Sequence, residues 1–268
     1  MREAERKDGS GNAKRNAGGR RLLGAVLVLV FCISTGTLYH HLVAVPEQNR
    51  EMTERLKEDF PGEELPEESS PTGEPAGEKS LPLLVDLAAL MEQYPDVRGW
   101  ISIPDTGIDY PVLQSSADDP QYYLRRNYKG EYDINGSIFL QWDCDVQEGQ
   151  NLVVYGHNMK SGVMFGTLDE YANLPYCKEH PAVLFQTLDG VYSYDVVAVL
   201  NADVSMFPFR QTVFQEPDGL SRYLSQAKAL QLFENGQTVA PNPKQVLTLV
   251  TCSYEWDGAR NIVIAVRE

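Results

Sequence analysis

The chain has 268 residues, 43% of them hydrophobic, and a formal net charge of −15. Phosphate binding needs a basic stripe, so this balance excludes nucleic acid as the main partner. The length holds one sizeable domain or two small ones. Four widely spaced cysteines, Cys32, Cys144, Cys177 and Cys252, contain no C-x-x-C pair, which is not the pattern of a disulfide scaffold.

Residues 1–21 carry seven Lys/Arg against three acids, and Leu22 to Val45 then contains no Asp, Glu, Lys or Arg. About 20 apolar residues cross the hydrocarbon of a bilayer, and basic residues ahead of such a segment hold the N-terminus in the cytoplasm. The expectation is a cytoplasmic tail over 1–21, a single-pass anchor over 22–45 and the body of the protein outside the cell. A cleaved signal peptide would use Leu22–Ile33 alone; the apolar continuation to Val45 and the lack of an A-x-A site favour retention.

Residues 46–80 hold eleven Asp/Glu, four Lys/Arg and five prolines, a composition expected to stay mostly solvated as a stalk, with a helix over Glu47–Phe60. The folded domain is expected over 81–268. Leu84, Leu87, Leu90, Met91 and Tyr94 recur at helical spacing, which predicts a helix over Pro82–Tyr94. From Gly99 the pattern turns to period two: WISIP, DYPVLQ, GSIFLQW, NLVVY, AVLFQT, Val191–Leu200, Val246–Cys252 and Asn261–Val266 read as strands between Pro, Gly, Asn and Asp turns. Asp118–Arg126 reads as a short helix and Pro217–Phe233 as a long one. Many short strands with few helices point to a closed or partly closed β-barrel.

Cys252 ends the run VLTLVTC, with Val246, Thr248, Val250 and Cys252 on one face of the strand. Strand ends that open into loops expose reactive groups on a rigid support, although a free cysteine is also a common buried hydrophobe. His157 follows NLVVYG at another strand end. His40 and His41 sit at the membrane edge and His180 beside Pro181, which leaves His157 as the best base for a thiol nucleophile. Arg260 opens the last strand, eight residues after Cys252, where it can donate to an oxyanion or pair with Glu255 or Asp257. No pair among Cys144, Cys177, His157 and His180 stands at zinc-ligand spacing, and no metal or cofactor is expected.

TLVTC followed by seven residues and an arginine, with YGHNM about a hundred residues upstream, resembles the sortases, cell-surface cysteine transpeptidases of Gram-positive bacteria. The likeness runs through NLVVYGHNMKSGVMFGTLDEY, GSIFLQWD and WISIPDTGIDYPVLQ and is closest to class B, with Val250 standing where that class usually has Ser. It implies a barrel of about eight strands with an N-terminal helix and a long helix inserted before the cysteine strand. It further implies Cys252 as nucleophile, His157 as general acid/base and Arg260 as oxyanion donor, with Thr251, Ser253, Asn158, Tyr155 and Tyr254 as substrate-binding candidates and Met164 and Trp256 as groove-lining ones. The implied substrates are exported proteins with an LPxTG- or NPxTx-like sorting signal, and the implied acceptor is a peptidoglycan amine. An arginine in place of the usual Asn or Asp orienter implies that Cys252 and His157 are mostly neutral at pH 7. Pilin polymerisation, peptide hydrolysis and a non-catalytic binding role are the alternatives.

Overall fold

Apolar side chains alternate along eight short segments, and one face of each must be buried. The computed structural model describes residues 10–62, 81–239, 243–252 and 258–267, without the side chains of 10–21, 41 and 252. The strands are β1 (Val97–Ser102), β2 (Asp109–Gln114), β3 (Ile138–Leu140), β4 (Asn151–Tyr155), β5 (Ala182–Thr187), β6 (Gly190–Ala202), β7 (Gln245–Cys252) and β8 (Arg260–Arg267). They close into a barrel in the order β1-β2-β3-β4-β7-β8-β6-β5. The β2–β3 and β4–β7 pairs are parallel and the other six antiparallel. Closure removes the free edges that an open sheet would expose. Trp100, Val112, Leu152, Val154, Phe185, Leu247, Leu249, Ile262 and Ile264 are all fully buried.

The helices are α1 (Ser10–Tyr39), followed by a π-helical turn over His40–Ala44, then α2 (Val45–Asp59), α3 (Leu87–Gln93), α4 (Leu174–Glu179) and α5 (Gly219–Leu230). Two units divide the chain, residues 1–47 and 48–268. In the first, Leu22, Leu27, Phe31 and Leu38 are exposed. Leu22–Asp59 is long and apolar enough by composition to cross a membrane.

The second unit begins earlier than expected. Leu56 and Phe60 are buried in one cluster with Val85, Leu87, Leu90, Val97, Trp100 and Leu113. Thr53 Oγ1 donates to the Asp109 carbonyl at 3.0 Å, and Lys57 pairs with the Asp109 carboxylate, whose other oxygen accepts from Trp100 Nε1 at 2.7 Å. Nearly the first half of the expected stalk is therefore part of the folded body. Its acid-rich composition concealed three apolar residues, Met52, Leu56 and Phe60, that fall on one helical face. Residues 63–80 of that segment lie outside the described residues.

Three predicted helices are shorter in the structure. Asp86 caps α3 by accepting from Ala89 N at 3.0 Å, while Leu84 N and Val85 N donate to Gln186 Oε1 at 2.7 and 3.1 Å, so the preceding residues are extended. Between Asp118 and Arg126 only Tyr122–Arg125 is helical, as one 3₁₀ turn around the buried Tyr123. The long helix ends at Leu230 because Leu232 N bonds the Val199 carbonyl of β6 at 2.8 Å.

Candidate active site

The β7 face formed by Val246, Thr248 and Val250 meets α5 at Thr248 and opens to a groove at Val250. Thr248 Oγ1 donates to Asn151 Oδ1 at 2.7 Å and lies 2.9 Å from the Tyr223 hydroxyl of α5. Two residues on, Val250 lines a groove of about 390 Å³ together with Leu124, Gln141, Trp142, Tyr155, His157, Phe209, Arg210 and Arg260. Register brings the three candidate residues to this end. Cys252 and Arg260 are directly opposed in the antiparallel β7–β8 pair. Tyr155 faces Val250 in the parallel β4–β7 pair, and His157 and Cys252 each lie two residues further along.

Local chemistry fixes the turn that carries His157. A Cβ on Gly156 would come within 2.5 Å of Ile138 Cδ1 and 2.7 Å of Phe165 Cδ2, so only glycine lets the chain pass there. The turn closes with Phe165 N donating to the His157 carbonyl at 3.0 Å. Met164, with φ 55°, holds the left-handed conformation that this closure requires. Met164 itself is buried and donates through its backbone N–H to the Tyr110 hydroxyl, rather than lining the groove.

His157 Nε2 lies 2.7 Å from the Leu124 carbonyl. A carbonyl only accepts, so Nε2 carries the proton in this pair. Burial lowers the His157 pKa below that of free imidazole; the Leu124 bond opposes this, and Arg125 adds to it. A main-chain carbonyl thus stands where papain-like enzymes use Asn or Asp, orienting the imidazole without the charge that would raise its pKa. Arg260 is half-buried, donates to the Ala259 carbonyl at 2.8 Å and forms no ion pair among the described residues; Glu255 and Asp257 lie outside them.

The other predicted residues divide between two sides of this end. Tyr155 lines the groove and donates to Gln141 Oε1 at 2.7 Å. Burial pushes its phenol up to about 12, and Arg210 acts against that rise. Thr251 also borders the groove, but its hydroxyl donates to the Gly156 carbonyl at 2.8 Å. The Asn158 amide is turned to Asp169 Oδ2 at 2.7 Å. Ser253, Tyr254 and Trp256, like the Cys252 thiol, lie outside the described residues.

Leu124, Gln141, Phe209 and Arg210 were not singled out from the sequence. Leu124 reaches the groove from the 3₁₀ turn Tyr122–Arg125, and Gln141, Phe209 and Arg210 from segments outside the strands, with no local pattern that signals the groove. Cys144, by contrast, is withdrawn from chemistry: burial pushes its thiol up to about 12, and its sulfur accepts from Val153 N at 3.3 Å.

A family model described as Sortase domain matches residues 101–268. Sortase B of Listeria monocytogenes is 33% identical over 173 residues, which cover 64% of this chain and 69% of that protein. Sortase B of Staphylococcus aureus is 25% identical over 173 residues, 63% of this chain and 69% of that one. Among solved structures, sortase B of Bacillus anthracis in complex with AAEK1 matches with a TM-score of 0.65 and 28% identity over 82% of this chain and 96% of its own. Clostridium perfringens sortase B matches with a TM-score of 0.61 and 28% identity over 67% of this chain and 98% of its own.

Proposed function

The chain belongs to the sortase family of cysteine transpeptidases, among its class B members, and from that premise we propose that Cys252, His157 and Arg260 carry its reaction. The observation that carries this reading is the register. Cys252 is paired with Arg260 across one ladder, and the last pair of the next, Tyr155 with Val250, lies two residues before His157 on one strand and two before Cys252 on the other, which supports a shared site.

In the proposed reaction His157 takes the Cys252 thiol proton on Nδ1 as the sulfur attacks a backbone carbonyl carbon of the sorting signal, and a tetrahedral oxyanion forms. Arg260 donates hydrogen bonds to that oxygen; a preorganised donor of this kind is worth on the order of 3 kcal/mol in the transition state. As the C–N bond breaks, His157 gives a proton to the departing amine, leaving a thioester on Cys252. An incoming amine then attacks the thioester carbonyl, His157 takes its proton, and the thiolate leaves. Both half-reactions need one open face of the barrel end, and the groove beside Val250 and Tyr155 supplies it.

Sortases act on proteins bearing a sorting signal and on peptidoglycan amines. For this chain we take the donor to be an exported protein and the acceptor an amine of the wall. Leu22–Val45 is read as the anchor, with residues 1–21 in the cytoplasm and the barrel outside. An enzyme held at the membrane meets membrane-bound donor and lipid-linked acceptor at raised effective concentration.

The test is to incubate the full chain in detergent with a fluorogenic sorting peptide, with and without an amine acceptor. Cleavage accompanied by acceptor-joined product is expected. Cleavage at an equal rate with no joined product would make the chain a hydrolase, and failure to turn over any sorting peptide would leave it a binding protein.

A further inference from the structure

Beneath the groove end, a closed circuit of contacts joins the chain neighbours of the three proposed reacting residues. Thr251, next to Cys252, donates to the carbonyl of Gly156, next to His157. On the other flank of His157, the Asn158 amide donates to Asp169 Oδ2 at 2.7 Å, and the Asn261 amide, next to Arg260, donates to Asp169 Oδ1. Asn261 and Thr251 are opposed in the β7–β8 ladder, which completes the circuit. One carboxylate therefore spans the turn that carries His157 and the strand that carries Arg260. It stands on a firm base, a 3₁₀ turn over Leu168–Ala172 in which Leu168 and Tyr171 are buried and the Tyr171 hydroxyl donates to the His180 carbonyl at 2.9 Å.

We propose that Asp169 is a positioning residue for the transpeptidation, fixing the separation of the His157 imidazole from the Arg260 guanidinium through Asn158 and Asn261. Two charge-assisted bonds to one carboxylate hold geometry more tightly than neutral pairs do. The barrel ladder alone sets Cys252 against Arg260, but residues 156–166 leave β4 as a turn. Among the described residues, Asp169 ties this turn to β8 through Asn158 and Asn261. Displacement of reacting groups by about 1 Å is enough to cost on the order of 10²-fold in rate. The proposal rests on the reading of His157 and Arg260 given above.

The experiment is steady-state transpeptidation by the full chain in detergent, after wild-type turnover and its loss in Cys252→Ala have been recorded. Asp169→Ala is expected to lower kcat by about 10- to 100-fold, with KM for the sorting peptide and the rate of Cys252 alkylation by iodoacetamide each within about twofold of wild type. Asn158→Ala and Asn261→Ala should each lower kcat by a smaller factor. The double variant Asp169→Ala/Asn261→Ala should be no slower than Asp169→Ala, because the same bond is being removed twice. Asp169→Asn keeps an acceptor for one amide and should fall between; with Asn261→Ala it carries the test if Asp169→Ala does not fold. A kcat within about twofold of wild type in these variants, additive losses in the double variant, or a loss matched by slower alkylation would overturn the proposal. An inactive wild type would instead strike the parent reading and take this one with it.

Discussion

The two flanks of the barrel are built on opposite terms. Where α2 and α3 lie against β1 and β2, the contact is apolar and its few polar groups are consumed internally. Trp100 Nε1, Lys57 and Thr53 all converge on Asp109, and the buried Gln186 side chain satisfies both Leu84–Val85 amides and the Val85 carbonyl. At the ends of β4, β7 and β8 the polar groups are instead arranged around a groove, and His157 and Arg260 make their described bonds to main-chain carbonyls. Around Asp109 and Gln186 the polar groups serve the packing of the helices; at the groove, directional donors are held beside open volume. The comparison predicts that stability and chemistry can be removed separately.

The strongest way to sharpen it is Cys252→Ala. Turnover should fall on the order of 10⁴-fold or more, as when the nucleophile of a covalent mechanism is lost, while the thermal midpoint moves by no more than about 2 °C, since small changes in a few tenths of a kcal/mol shift it little. Trp100→Ala should do the reverse. Truncating a fully buried tryptophan costs about 3–5 kcal/mol, read by urea unfolding, and kcat per folded molecule should stay at the wild-type value. A matched fall in kcat would show that the helical flank and the groove are one cooperative device. Arg260→Ala should cost about 3 kcal/mol of transition-state stabilisation, roughly 10²-fold in kcat/KM, with little change in unfolding.

The smallest effect is electrostatic. Burial holds the His157 pKa below the 6.5 of free imidazole. The unfolded chain then takes up the proton first, so this residue weakens the fold as pH drops below about 6.5 and leaves it untouched above. The same shift puts the acid limb of the kcat/KM profile below 6.5 and keeps His157 mostly neutral at pH 7, as the absence of a carboxylate orienter implied. An NMR titration of the His157 ring should give a midpoint under 6.5; a midpoint at or above that value contradicts the burial argument.

How much of this was legible in the sequence follows from the range of the interactions. DYPVLQ, NLVVY and AVLFQT were expected as strands and are β2, β4 and β5 over the same residues, because period two is a local signal. The helix ends were overrun, because what stops them is distant: Gln186 holds Leu84 and Val85 from 102 and 101 residues away. The helical part of the acidic segment was seen, but its packing was not, since three apolar residues do not outweigh composition until Trp100 and Leu90 are known to face them. In the site, Cys252, His157 and Arg260 are legible because each lies at or just beyond a strand end within a recognisable motif. Leu124, 33 residues from His157, and Asp169, 92 from Asn261, act through contacts for which no spacing rule exists.

The proposed transpeptidation passes through a covalent intermediate at one sulfur. Mixing the full chain with a sorting peptide, quenching in acid and mapping the adduct by mass spectrometry tests it directly. The prediction is an acyl group on the peptide containing Cys252, released by hydroxylamine and absent from Cys252→Ala. An acyl group on Cys144 or Cys177, or undiminished cleavage of the sorting peptide by Cys252→Ala, would contradict it.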